Sequence, residues 1–347
     1  FDYFLFFLAP FSRSSSSCSS TSSIITLILK MNLDVSAFYW ILAIICCPIV
    51  FPLFAFSLLK NAKARNYRTH LPGKVVLITG ASSGLGEALA HLFYKSGCKV
   101  ILAARRINEL ERVKTDLLAL KINSITYPPT VLPLDLAQLN EIPEYVAKAL
   151  DVHNHIDILV NNGGVSVRAD VLSCAVDVDL KVMIVNYFGA VALTKCVLPS
   201  MVKKGSGKIC FVSSVQGKFS LPYRSSYSAS KHAMQAFADS LRAEVAHKGV
   251  QVICVSPGYI RTQLSVNALI ANGETYGKMD KTTATGMAPN RMANEILFAI
   301  LRNDKDIVIC DLQAKIAYYL RCLCPKIYFW IMEKRAIKQK YSEISNI

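Results

Sequence analysis

Residues 75–90 read VVLITGASSGLGEALA. Five strand-favouring residues, Val75–Thr79, run straight into Gly80-Ala81-Ser82-Ser83-Gly84-Leu85-Gly86, and an amphipathic helical pattern starts at Leu85. Strand, glycines and helix in that order build a phosphate cradle. The glycines let the backbone turn tightly and approach a pyrophosphate, and the helix N-terminus points free N–H groups and a positive dipole end at it. The order makes the signal far more specific than a lone glycine run. A methyltransferase loop shares this start, and the motifs downstream argue against it.

Outward from this turn, short apolar runs alternate with helical patterns. Strands are expected at Val75–Thr79, Lys99–Ala104, Val131–Leu134, Ile156–Val160, Lys208–Ser213, Gln251–Val255 and Asp306–Cys310. Helices are expected at Leu85–Lys95, Ile107–Leu120, Ile142–Leu150, Asp177–Val202, Ser228–His247 and Pro289–Leu301. This alternation implies an α/β fold of the Rossmann type: a doubly wound parallel sheet of about seven strands with helices on both faces.

The second strand ends in Ala103-Ala104-Arg105-Arg106. A site for NAD would place an acid here to hold the ribose 2′-hydroxyl. Instead Arg105 or Arg106 stands ready to pair with a 2′-phosphate, which favours NADP(H). Asp135-Leu136 follows the third strand, where the carboxylate can accept from an adenine amino group. Asn161-Asn162-Gly163-Gly164 follows the fourth, small enough to pass close to a ribose, with asparagines able to tie neighbouring strands.

Tyr227-Ser-Ala-Ser-Lys231 puts a phenol and an ammonium on one helix face, four residues apart. A free phenol titrates near 10, too high for acid/base work at neutral pH. A neighbouring positive charge would lower that value. Ser214, at the end of a strand, and Asn186, in the preceding helix, would join them at the carboxyl edge of the sheet.

Taken together, these motifs resemble the short-chain dehydrogenase/reductase family over residues 73–310. The segments VNYFGAVALTKCVLPSM, SSVQGKFSLPYRSSYSASKHAMQAF and SPGYIRTQLSVNAL resemble a membrane-anchored branch of it. The resemblance implies hydride transfer between NADP(H) and a carbonyl or alcohol. It makes Tyr227 the acid/base, Lys231 the group that holds the nicotinamide ribose, Ser214 the orienter of the substrate oxygen and Asn186 the holder of a relay water. Gly80, Ser82, Ser83, Gly84, Leu85 and Gly86 match the pyrophosphate turn. Pro257, Gly258, Ile260 and Thr262 match the segment along the cofactor, with Thr262 a contact to the carboxamide or a phosphate. Gly163 departs from the family's usual alanine and is expected to loosen its loop. Family members act on steroids, retinoids and lipid ketones, so a lipophilic substrate is expected. Gln263–Met287 is read as its cover, a mobile lid. A nucleotide-binding scaffold with little turnover is the alternative, and the complete catalytic set weighs against it.

The 347 residues exceed what this domain needs. Residues 1–30 hold a Ser-rich, low-complexity tract before the first Met, Met31, and are expected to be upstream sequence outside the native protein. Residues 38–59, FYWILAIICCPIVFPLFAFSLL, carry no charge and as a helix would extend roughly 33 Å, a transmembrane span. Lys60, Lys63, Arg65 and Arg68 follow at once, so the catalytic domain is expected on the cytosolic side. The endoplasmic reticulum is the expected membrane, with the peroxisome as alternative. Residues 311–347 form a basic segment whose apolar part, Ile316–Met332, is expected to lie amphipathically along the membrane. The net charge of +15 sits beside these apolar stretches, which favours a membrane surface over nucleic acid. The eleven cysteines lack the paired spacing of a zinc site and read as reduced thiols. A second copy of the chain, as a homodimer, is left open.

Overall fold

The structure is a computed structural model that describes residues 68–122 and 125–344. The expected leader, 1–30, and the anchor, 38–59, lie outside the described residues. Seven strands, β1 (Val75–Thr79), β2 (Lys99–Ala104), β3 (Thr130–Pro133), β4 (Ile158–Asn161), β5 (Gly207–Val212), β6 (Val250–Pro257) and β7 (Asp306–Ile309), form one sheet. Their order is β3-β2-β1-β4-β5-β6-β7, and every pairing is parallel. The chain reverses its winding between β1 and β4, which opens a crevice at their carboxyl ends.

Alternation along each strand builds two cores. Val76 and Ile78 face one layer with α1 (Gly84–Lys95), α2 (Ile107–Leu118) and, from late in the chain, α8 (Pro289–Arg302). Val75 and Leu77 face the other, with α3 (Ile142–His153), α5 (Gly189–Lys204) and α6 (Ser225–Val245). Both sheet faces are covered, which is why the strands read as continuous Val/Ile/Leu runs.

The expected long helix over Asp177–Val202 is broken. It begins as α4 (Val176–Met183), passes through a π-helical turn at Ile184–Phe188 and continues as α5. The Gly189 N–H reaches back five residues to the Ile184 carbonyl. A Cβ on Gly189 would lie 2.5 Å from the Leu136 carbonyl oxygen, so glycine lets the helix press against that loop. By length and apolarity Val176–Lys204 is sufficient to cross a membrane, yet Val182, Leu193, Val197 and Met201 are fully buried within the domain, as expected of a core helix. Most other differences are shifts at element ends. Helix α6 starts three residues earlier than expected, at Ser225, and α3 runs on to His153.

At the amino rim of the sheet, Asp157 accepts from the Val75 N–H (2.9 Å), from Lys204 Nζ (2.7 Å) and from Lys74 Nζ (3.4 Å). Burial alone would raise this carboxyl. The Lys204 hydrogen bond, the backbone N–H and Lys74 outweigh it and hold Asp157 below the usual carboxylate range.

Beyond β7 the expected single basic segment is a helical pair, α9 (Leu312–Leu323) and α10 (Pro325–Ile344). Asp311 caps α9 by accepting from the Ala314 N–H (2.9 Å), and the Cys324–Pro325 junction ends it. Tyr328, Ala314, Ala317 and Met332 pack on Val215 and Phe219 of the main domain.

Candidate active site

A cavity of about 540 Å³ opens at the carboxyl ends of β1, β4, β5 and β6. The glycine turn floors one end. Gly80 and Gly84 adopt left-handed φ of +66° and +60°, and a Cβ on Gly86 would lie 2.1 Å from the Gly80 carbonyl oxygen. No side chain fits there, and the space above is lined by Ser82, Ser83 and Leu85. Thr262 closes over the turn, its side chain 3.1 Å from where a Gly84 Cβ would be.

Both arginines after β2 line the cavity, and both are exposed, but their contacts differ. Arg106 Nη2 donates to Ser82 Oγ and Ser83 Oγ, each at 3.1 Å, and so lies across the glycine turn. Arg105 is exposed at the rim. Asp135 Oδ1 accepts from the Ala137 N–H at 3.0 Å, which fixes the carboxylate where it lines the cavity.

The Asn162–Gly163 loop is not loose. Thr79 Oγ1 accepts from the Asn162 and Gly163 N–H groups (2.9 and 2.8 Å), and Asn162 Nδ2 donates to the Thr79 carbonyl. A Cβ on Gly163 would meet Leu136 Cδ1 at 2.7 Å, so this glycine makes room for a leucine tip. Asn161 Nδ2 donates to Thr194 Oγ1 at 3.0 Å, tying β4 to α5.

Tyr227, Lys231 and Ser214 meet at the other end. Lys231 Nζ donates to the Val212 carbonyl at 3.0 Å and lies 5.8 Å from the Tyr227 ring centroid. Ser214 accepts from the Gln216 N–H at 3.1 Å, and its hydroxyl acts on the Tyr227 phenol to lower the phenol's pKa. Burial pushes the Tyr227 phenol above its ordinary value, with Ser214 and then Arg168 opposing it. The expected lowering by Lys231 does not dominate: burial sets the upward direction, and it also holds Lys231 itself down, at about 8. Pro257, Gly258 and Ile260 line the wall between the two ends.

Asn186 sits in the π turn, fully buried, and is not among the side chains lining the cavity. Its amide accepts from the Val165 N–H (2.8 Å) and donates to the Val165 carbonyl and Ser230 Oγ (both 2.9 Å). It clamps the loop after β4 to α6.

One cluster escaped the reading of the sequence. Arg168 donates through Nε (2.9 Å) and Nη2 (2.5 Å) to Asp280 Oδ2, and Arg224 Nη2 reaches the same oxygen at 3.4 Å. This ties the loop after β4, the segment before Tyr227 and the substrate cover together. The cover is also held by a parallel bridge of Leu269 to Val167 and carries a one-turn helix, α7 (Lys281–Ala284). The expected mobile lid is thus pinned at two points.

The glycine cradle, the crevice at the strand-order reversal and the Tyr-Lys-Ser cluster define a dinucleotide-dependent oxidoreductase of the short-chain type. The short chain dehydrogenase family model matches residues 74–271, and the chain belongs to that family. Among its relatives, a dehydrogenase/reductase SDR family protein 7-like from Drosophila melanogaster is 66% identical over 89% of this chain and 95% of its own length. Dehydrogenase/reductase SDR family member 7B from Danio rerio is 46% identical over 82% of this chain and 93% of its own. Among solved structures, a short-chain dehydrogenase from Streptomyces avermitilis superposes with a TM-score of 0.62 at 26% identity, covering 79% of this chain and 97% of that one. An alcohol dehydrogenase from Thermococcus sibiricus, solved with 5-hydroxy-NADP, shares the fold at 21% identity and a TM-score of 0.58, over 69% of this chain and 95% of its own. The family's fold binds a nicotinamide cofactor.

Proposed function

We propose that the protein reduces a carbonyl of a lipophilic substrate, a lipid ketone, steroid or retinoid, with NADPH, and that Tyr227 is its acid/base. The observation that carries this is a single cavity with Tyr227, Lys231 and Ser214 at one end and a side-chain-free phosphate cradle under Arg106 at the other. The residues present fit NADP(H). The turn admits only backbone, which suits a pyrophosphate, and Arg106 and Arg105 line the same cavity with charge that suits a 2′-phosphate.

When bound, the cofactor supplies the hydride. The chain's own groups handle the proton. Burial keeps the Tyr227 phenol protonated, the form a donor needs, and that proton passes to the alkoxide oxygen as the carbonyl is reduced. Ser214, which lines the cavity with Tyr227, orients the same oxygen. Lys231 stands close enough to stabilise the phenolate left behind and to hold the ribose. Asn186 spends its side chain on Val165 and Ser230, so its part in a water relay falls to its main chain. Pro257, Gly258, Ile260, Thr262, Asp135, Leu136, Asn162 and Gly163 line the cavity and would hold the cofactor there.

Tyr227→Phe tests the assignment. Turnover of a ketone panel should vanish while NADPH titration stays near wild type, and retention of more than roughly a few per cent of the rate removes Tyr227 from the role. Residues 38–59 are proposed as the anchor, in the endoplasmic reticulum or the peroxisomal membrane, with the catalytic domain in the cytosol. Protease should digest that domain in intact microsomes, and protection until detergent is added reverses the topology.

A further inference from the structure

The C-terminal helical pair has two apolar faces, and only one is used. The inner face, Tyr328, Met332 and Ala336 at four-residue spacing, lies against the main domain. On the outer face of α9, Leu312, Ile316, Tyr319 and Leu323 form a stripe at helical spacing, each between 49% and 76% exposed. On α10 the exposure continues through Ile327, Trp330 and Ile331, with Trp330 at 60%. Of the twenty large apolar side chains exposed among the described residues, nine belong to these two helices. Scattered exposed leucines need no explanation, but a continuous aromatic and aliphatic face of this kind calls for a partner.

The charges beside it identify the partner's chemistry. Lys315, Arg321, Lys326, Lys334, Arg335 and Lys338 are all exposed on the same helices, against the acids Asp311 and Glu333. Arg321 lies 5.0 Å from the centre of the Phe329 ring, its charge carried on an aromatic surface. Apolar and aromatic groups flanked by long basic side chains are what an interfacial helix presents to anionic lipid. The rings enter the headgroup boundary and the cations reach back to the phosphates.

The surface is joined to the site. The Tyr223 phenol donates to the Ala336 carbonyl (3.2 Å), and the Tyr328 phenol to the Ser220 carbonyl, both in the segment that leads to Tyr227. A second cavity of about 360 Å³ lies between Gln339 of α10, Tyr223 and the turn 169–173, and Arg168 lines both it and the main cavity. Val171 and Leu172, on that same turn, are 74% and 100% exposed.

We propose that the outer face of α9 and α10 is a monotopic docking surface for an anionic bilayer, seating the substrate end of the cavity at the lipid interface. This is a second attachment beside residues 38–59. It is independent of cofactor choice and of the role of Tyr227, so the test reads no turnover. The full chain carries two tryptophans, Trp40 and Trp330. Trp40→Phe leaves Trp330 as the reporter in protein reconstituted into phosphatidylcholine vesicles containing phosphatidylserine. At a depth of about 5–10 Å, Trp330 emission should shift to the blue and lose roughly half its intensity when bromine-labelled lipid replaces part of the phosphatidylcholine. Lys334→Glu with Arg335→Glu and Lys338→Glu should relieve that quenching, and so should removing the phosphatidylserine. Emission unmoved by the brominated lipid overturns the proposal. Blue-shifted emission that the bromines cannot reach also overturns it, because the face is then covered by a second copy of the chain.

Discussion

Arg106 offers the sharpest test of cofactor choice. Its guanidinium lies over the glycine turn through two bonds of 3.1 Å to Ser82 and Ser83 hydroxyls, and it is exposed, as is Arg105 beside it. In Arg106→Gln the serines turn to water at little cost, because they border the open cavity. A charge-assisted hydrogen bond to a 2′-phosphate is lost, about 1.5–3 kcal/mol, or roughly 10–150-fold in NADPH affinity. NADH, which lacks that phosphate, should bind nearly as before. Calorimetric titration of both cofactors measures the difference directly. The wild-type preference should shrink as salt rises from about 0.05 to 0.5 M, since the group is exposed and screened. Arg105→Gln should show the same direction with a smaller loss. Equal losses of NADPH and NADH in Arg106→Gln would refute the reasoning, and a larger selective loss in Arg105→Gln would move the contact to its neighbour.

Lys231 is held at about 8 in the folded chain against an unfolded value near 10.5, so between those pH values the unfolded state binds the extra proton and stability rises with pH. Lys231→Met should flatten that rise in chemical denaturation at pH 8, 9 and 10, and an unchanged slope removes Lys231 as its source. Asp280→Asn strips the shared carboxylate from two largely buried guanidinium groups and should destabilise by on the order of 3 kcal/mol, with faster proteolysis at residues 263–287. A wild-type cleavage rate would show that the cover is held elsewhere. Gly163→Ala meets chiefly a movable leucine tip, with Thr79 Oγ1 at 3.3 Å behind it, and should cost about 1 kcal/mol with NADPH binding retained, whereas Gly86→Ala meets the Gly80 carbonyl and should abolish binding. Comparable affinities for the two variants would contradict the cradle geometry.

The turn at residues 79–86 and the Tyr227–Lys231 pair were legible because their chemistry depends on local spacing, which one sequence displays. The seven strands were legible too, since buried parallel strands advertise themselves as apolar runs, whereas their order came only with the structure. The π turn was invisible, because the apolar pattern runs unbroken from Val176 to Met201 and only Gly189 marks the close approach to Leu136. The Arg168–Asp280 pair joins residues 112 apart, and no local pattern announces such a partner. Asn186 was found, but not what its side chain does. Its residue type fitted a cavity role, and only the fold shows its amide saturated by Val165 and Ser230. Likewise the two-faced C-terminal pair reads as merely amphipathic until packing reveals which apolar residues are left outside.

The sheet has a working rim and a quiet one. The carboxyl ends of its strands carry the cradle and the phenol, while Asp157 with Val75, Lys74 and Lys204 knots the amino ends. Evolution can therefore exchange loops on one rim for new substrates while the other keeps the strands in register. An engineer has the same freedom in reverse. Substitutions screened around the Asp157 knot alter how much heat the domain survives without reshaping what it acts on, so a destabilising change at the catalytic rim can be compensated from the opposite end of the same strands.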